Sequence, residues 1–228
     1  MRVAGHVVFV GAAVFLVAVT ADTTLTAQIN PGSELRKAPQ EGGPRRWKIV
    51  GGDITLKSAP SPDADDVGAF ANAAIVNNLG CMEVADQVWC KVRPFRGGTA
   101  GFARAAQLQP AQGPDGVMPM GVDDSRRRAR VRDFDSKGKV ACAQEHGQAM
   151  GTCLAGVARS GGGDATVVVT FPNGFARNLY FVHGEFVRAS ATMSGVGTDM
   201  DWRLQNRRYF IRVDDQRYEL PTTLIFEN

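Results

Sequence analysis

The chain has 228 residues, 44% hydrophobic and 21% charged, with a formal net charge of +3. This composition describes a globular protein, not a disordered or membrane-embedded one, and its length suits one or two domains of ordinary size. Basic and acidic residues are interleaved and only one short run approaches the basic stripe that nucleic-acid binding requires, so no nucleic-acid partner is expected.

Residues 1–27 read as a secretory signal peptide. Arg2 supplies the positive start, and Val7 to Val19 is an uncharged apolar run of 13 residues. A spanning helix needs about 20, whereas the apolar region of a secretory signal needs about 7–15. Cleavage is expected after Ala21 (Val19-Thr20-Ala21) or after Ala27 (Leu25-Thr26-Ala27); an uncleaved anchor is the alternative. The expected location is periplasmic or secreted. Residues 28–46 are rich in Pro, Gly and charge without a period of 2 or 3.6, which predicts a flexible leader.

Four cysteines, Cys81, Cys90, Cys142 and Cys153, lie beyond the signal. An even number in an exported chain points to disulfides. Locality favours 81–90 with 142–153 among the three connectivities, and neither pair has the short spacing of a zinc knuckle. A hairpin with Ala85-Asp86 at its tip sets Val84 against Gln87, Glu83 against Val88, Met82 against Trp89 and Cys81 against Cys90. The Cys81/Cys90 rung is a non-hydrogen-bonded one, where opposed Cα atoms are about 4.5 Å apart, near the lower end of what a disulfide accepts. Ala-Asp is not the Asn-Gly such a turn prefers, and a longer loop with the same centre is the alternative.

Trp47 opens the first predicted domain, 47–109. Short strands are expected at Trp47–Val50, Ile54–Leu56, Val67–Phe70, Ala73–Val76, along the cysteine hairpin and at Ala100–Ala103, with a polar loop from Lys57 to Asp66. Five or six short strands within about 60 residues describe a small β-barrel. Pro110 to Val122 reads as a linker. Asp123 to Arg132 carries five arginines; docking on an acidic surface or on anionic headgroups is weighed against a solvated segment neutralised by its neighbouring acids, which is favoured.

The second half, 123–228, is also predicted to be β-rich and antiparallel, a sandwich or barrel. Asn173-Gly174 between β-branched runs signals a hairpin, with Val168 opposite Leu179 and Val167 opposite Tyr180, so that both faces would be apolar and buried. Glu185–Ser190 adds a strand, Trp202 and Leu204 alternate, and a turn at Asp214-Asp215 sets Ile211 against Tyr218 and Tyr209 against Leu220. No amphipathic helix is expected.

Leu56-Lys57-Ser58-Ala59-Pro60, Val67-Gly68, Gly80-Cys81, Trp89-Cys90-Lys91-Val92, Gly101-Phe102-Ala103 and Leu108 together resemble the bacterial SH3-like domain. That family's pattern runs Leu-Arg-x-x-Pro, a small residue with Gly, a Trp-x-x-Val strand and Gly-Trp-Val near the end. The resemblance covers roughly residues 47–109, with Lys57 replacing Arg and Phe102 replacing Trp. It implies a non-catalytic binding module of the bacterial envelope that takes cell-wall peptides or partner proteins. The physical basis would be a groove between the 57–66 loop and the hairpin, with Phe95 and Phe102 as aromatic walls and Asp63, Asp65 and Asp66 as a negative rim. Residues 123–228 resemble uncharacterised secreted bacterial β-domains, which implies no activity.

Catalysis has few candidates. After export His146 and His183 are the remaining histidines, both in Gly-containing turns, and disulfides would leave no thiol nucleophile. There is no Gly-x-Ser-x-Gly elbow and no His-Glu-x-x-His, and Ser160-Gly161-Gly162-Gly163-Asp164 precedes a strand, so it lacks the helix terminus that holds phosphate. Glu145 with His146, and Asp199 with Asp201, are weighed as metal ligands against surface turns, which are favoured; no metal or cofactor is expected. The reading is of an all-β, non-enzymatic envelope protein that binds cell-wall peptide or an envelope protein. A periplasmic inhibitor of a cell-wall hydrolase such as lysozyme, using a loop at 191–200, is the alternative; an accessory domain of a cell-wall enzyme is a third.

Overall fold

Met1, residues 31–191 and residues 199–226 are described by a computed structural model. The predicted signal beyond Met1 and most of the 191–200 loop lie outside the described residues. No described helix is long and apolar enough to cross a membrane.

The fold is all-β, with two antiparallel sheets. The first holds β1 (Arg46–Ile49), β2 (Ile54–Lys57), β3 (Asp66–Phe70), β4 (Ile75–Val84), β5 (Gln87–Pro94), β6 (Gly101–Arg104) and β7 (Leu108–Pro110). Their order is β3-β2-β6-β5-β4-β1-β7. Trp47, Ile49, Ile54, Leu56, Val76, Val92 and Leu108 form its core. They occupy alternate strand positions because successive side chains point to opposite faces. Burying each such side chain stabilises by about 1.5–3 kcal/mol.

The cysteine hairpin forms in the predicted register, from Val84 opposite Gln87 to Cys81 opposite Cys90. Ala85 and Asp86 both adopt positive φ, 48° and 62°, the backbone of a type I′ turn whose twist matches the strands. The Cys81–Cys90 disulfide joins Cα atoms 3.9 Å apart. Cys142 and Cys153 form the second disulfide, and no cysteine among the described residues is free.

The second sheet holds β8 (Ser136–Ala143), β9 (Gly151–Gly161), β10 (Asp164–Thr170), β11 (Ala176–Val182), β12 (Glu185–Ala189), β13 (Met200–Gln205), β14 (Arg208–Val213) and β15 (Gln216–Pro221). Two meanders, β8–β12 and β13–β15, are joined by the β8–β15 pairing in the order β12-β11-β10-β9-β8-β15-β14-β13. The sheet curls on itself. Phe181 on β11 meets Tyr209 on β14 at 5.1 Å between ring centres, although four strands separate them in the sheet. The Asp214-Asp215 turn gives the expected register, Ile211 opposite Tyr218 and Tyr209 opposite Leu220.

The Asn173-Gly174 hairpin differs by one residue from its predicted register: Val167 faces Leu179, and Val168 faces Asn178. The loop has three residues, not two. Gly174 N–H donates to Phe171 O, and Phe171 N–H to Phe175 O, while Gly174 sits at φ 85°. Pro172 selects this turn because its fixed φ suits the first central position of a type I turn. A one-residue slip exchanges faces. Val167, Val169, Leu179 and Phe181 enter the core, and Val168 and Tyr180 stay half-buried on the outer face. The hairpin is therefore buried fully on one side only.

Two short helices, α1 (Pro31–Glu34) and α2 (Ser125–Arg130), complete the described elements along with three 3₁₀ turns. Helix α2 is absent from the sequence-based expectation. It lies on the outer face of the second sheet through buried Ser125 and Ala129, with a Ser125–Thr166 hydroxyl hydrogen bond of 2.9 Å. The end of the predicted leader and the predicted linker are not free connectors. Arg45 and Arg46 are buried, Arg45 N–H donates to Pro119 O, and Gly121 N–H donates to Gly43 O. Residues 31–228 consequently form one unit.

Candidate functional site

Two places concentrate chemistry. The first is a buried polar junction where the first sheet meets the second. Arg45 ends the 31–45 segment, Arg46 starts β1 and Asp164 starts β10. Asp164 accepts from Arg45 Nη1 at 2.9 Å and from Arg46 Nη2 at 2.6 and 2.8 Å. It also accepts the His183 backbone N–H at 2.9 Å. Arg45 spends its remaining donors on Gly121 O, Ser160 O, Ser160 Oγ and Val122 O, all within 2.9 Å. A buried carboxylate is tolerated only when paired and hydrogen-bonded in this way.

Arg46 is less completely partnered. Its Nε and Nη1, and His183 Nδ1, are buried without a hydrogen-bond partner. The Arg46 guanidinium instead lies 5.6 Å from the centre of the Phe95 ring, and His183 packs edge-on against that ring at 5.6 Å. Burial first, and the neighbouring Arg46 charge second, hold the His183 imidazole below its usual pKa, the nearby Asp164 opposing. The imidazole is therefore neutral at pH 7. Beside it a hollow of about 460 Å³ is lined by Phe95, Arg96, Glu185, Val187 and Trp202, with Arg96 and Glu185 ion-paired at 2.9 Å.

The second place is an apolar groove of about 580 Å³ on the first sheet, lined by Leu35, Trp47, Val88, Ala106, Leu108 and Pro110, with Arg36, Gln87 and Arg104 among its polar neighbours. Arg36 and Arg104 are exposed, and no carboxylate lines the groove. Trp47 contributes its ring while its Nε1–H, buried, finds no acceptor. One wall is β7, the last strand of its sheet; on its outer edge Leu108 N–H donates to Ala105 O and Pro110 has no N–H.

The residues expected to form a groove are dispersed. Phe95 belongs to the junction, against His183 and Arg46. Phe102 sits on β6 opposite Lys57 and Lys91, with Lys91 Nζ 5.8 Å from its ring centre. Asp66 is paired with Lys57 at 2.7 Å. The Asp65 carbonyl closes the loop by accepting Ser58 N–H, and Asp63 is exposed. None of the described cavities is lined by both Phe95 and Phe102. Glu145 and His146 are exposed. Asp199 is held by Arg212 at 2.8 and 3.0 Å, which keeps its carboxyl below the usual range. No group of three potential metal ligands occurs among the described residues.

Sequence reasoning passes over Arg45, Arg46 and Asp164, assigning the first two to a leader and the third to a glycine-rich turn. The one available signal is Arg-Arg immediately before the first apolar strand. Residues Leu35, Ala106 and Pro110 carry no motif, and only the fold assembles them around Trp47. Comparison with protein-family models, with curated proteins and with solved structures returns no match to this chain.

Proposed function

We propose that the protein is a non-catalytic binding protein of the bacterial envelope and that its first sheet takes an extended cell-wall peptide in the Trp47 groove. The observation that carries this reading is the conjunction of an apolar groove with exposed Arg36 and Arg104 at its side and no carboxylate in its lining. An extended peptide can lay its alternate side chains in such a groove. Arg36 and Arg104, without a neighbouring carboxylate, favour a ligand that bears carboxylates. The resemblance of residues 47–109 to the bacterial SH3-like domain supports the same class of ligand, at a groove other than the one between the 57–66 loop and the hairpin. Two disulfides and the predicted signal support a periplasmic or secreted location.

Co-sedimentation of the mature chain with purified cell-wall sacculi tests the reading. The expected result is retention, and its loss on Ala106→Arg. Ala106 is exposed, so this change fills the groove without entering the core, and an unchanged circular dichroism spectrum would show the fold intact. Absence of retention, or equal retention of the variant, would contradict the proposal. Inhibition of lysozyme without retention would favour the hydrolase-inhibitor alternative, whose 191–200 loop falls mostly outside the described residues.

A further inference from the structure

We infer that the outer face of the second sheet around Leu154 is a docking surface for an anionic phospholipid bilayer, a function separate from the Trp47 groove. The starting point is the run of five arginines from Arg126 to Arg132. The fold divides it. Arg126 stacks on Tyr180 at 4.7 Å from the ring centre, Arg127 pairs with Asp124 at 2.8 Å, and Arg128 pairs with Asp133 at 2.9 Å and with Asp135 at 2.5 Å. Arg130 and Arg132, both exposed, have no ion pair among the described residues. Asp124, Asp133 and Asp135 are thus committed to Arg127 and Arg128, Asp123 accepts the Ser125 backbone N–H at 2.9 Å, and two cations remain over.

Beside them the sheet adds two more. Lys139, Leu154 and Thr170 lie on one rung across β8, β9 and β10, and Lys137, Gly156 and Val168 on the next. Alternation directs Cys153, Ala155 and Val157 into the core and Leu154 outward, where it is 60% exposed. Gly156 makes the hollow. With no side chain of its own it lets the Phe134 ring lie on the sheet, where an added Cβ would come within 2.5 Å of ring carbon Cδ2. The result is a hollow of about 470 Å³ with an apolar floor of Leu154, Gly156 and Val168, a wall of Phe134, and a rim of Arg132, Lys137 and Lys139. Val131, next to Arg132, is 66% exposed.

Charge complementarity and geometry select the occupant. Three cations and no carboxylate rim the hollow, so the partner is anionic. Strands β9 and β10 are paired on both sides, and β8 pairs with β15 only from Ala141 to Ala143, but the hollow lies on the face of the sheet, where side chains and not backbone groups meet a ligand. A surface that offers phosphates to the rim and an apolar interior to exposed Leu154 and Val131 meets both demands. Each Lys or Arg near an anionic leaflet raises partitioning about fivefold, and the attraction weakens with salt.

The test is sedimentation of the mature protein with vesicles of phosphatidylcholine alone and of phosphatidylcholine with about 30% phosphatidylglycerol, the anionic component supplying the surface charge. Retention is expected on the anionic vesicles only, falling at about 0.5 M NaCl, where screening is strong. The double variant Lys137→Glu/Lys139→Glu should lower retention at least tenfold and Leu154→Ser several-fold. All three positions are exposed, so folding is preserved. Ala106→Arg, in the Trp47 groove, should leave vesicle retention unchanged. Failure to bind anionic vesicles, equal binding to neutral ones, or full retention of the double variant would overturn the inference. Displacement from vesicles by millimolar glycerol phosphate would also overturn it, since the site would then be a soluble-phosphate pocket.

Discussion

Asp164 joins Arg46 of the first sheet and the preceding Arg45 to the start of a strand in the second, and its carboxylate is the single anion of that buried cluster. Removing its charge leaves Arg45 and Arg46 buried without a counter-ion, which costs about 3–5 kcal/mol in such settings. Asp164→Asn is therefore expected to lower the denaturation midpoint strongly, measured by urea unfolding of the protein; a loss below about 1 kcal/mol would contradict the assignment. His183 adds a pH dependence. Its folded-state pKa lies below the ordinary 6.5 because of burial and Arg46, so the unfolded chain binds the proton more readily. This contribution is intact above pH 6.5 and is lost as pH falls from there toward the folded value. The melting temperature should drop between about pH 7.5 and 5, and His183→Asn, which tolerates the φ of 52° at that position, should flatten the drop. An equal drop in the variant would rule His183 out as its source. Beyond the Arg45-Arg46 pair before the first strand, none of this was legible in the sequence, because Arg46 and Asp164 stand 118 positions apart and acquire their relation to His183 only when the intervening chain folds back.

Elements whose partners are local in sequence were the ones read most completely. The cysteine hairpin and the turn at Asp214-Asp215 each follow from alternation about a short turn, and both registers were legible. The Asn173-Gly174 hairpin was displaced by one because the neighbouring Pro172 decides the turn type, and a rule based on Asn-Gly alone ignores it. Strands β8 and β9 were hidden by small residues: Ala141, Gly151, Ala155, Gly156 and Ala158 blur the period of 2 that Val140, Cys142, Cys153 and Val157 carry. Glycines separate two kinds of turn. Gly163 has φ 80°, and a Cβ there would lie 2.3 Å from the Gly184 backbone nitrogen, whereas Gly174 at φ 85° has open space around it. Gly163→Ala should cost about 3 kcal/mol or more, from both strain and overpacking, against about 1–2 kcal/mol for Gly174→Ala. Equal losses by thermal denaturation would show that the close approach of the two glycine turns has no energetic consequence.

At the scale of the whole molecule, the all-β class and the two-sheet organisation were legible from turn spacing and alternation. The union of the sheets was not. Residues 31–46 and 110–122 looked like connectors because they are rich in Pro and Gly, yet those residues are what permit close approach: Gly113 packs so tightly that an added Cβ would lie 2.4 Å from the Gly162 backbone. That tight junction also draws Phe95 away from the barrel groove assigned to it. The Trp47 groove, assembled from α1's flank, the hairpin and β7, takes its place as the proposed peptide site. The indole N–H resonances offer a direct view, since the chain has three tryptophans and Trp47 is the one that lines this groove. Titration of the protein with soluble peptidoglycan fragments, followed by proton–nitrogen correlation spectra, should shift the Trp47 indole signal saturably and leave that of Trp202 in place. A Trp47 signal that does not move at any fragment concentration would contradict the account.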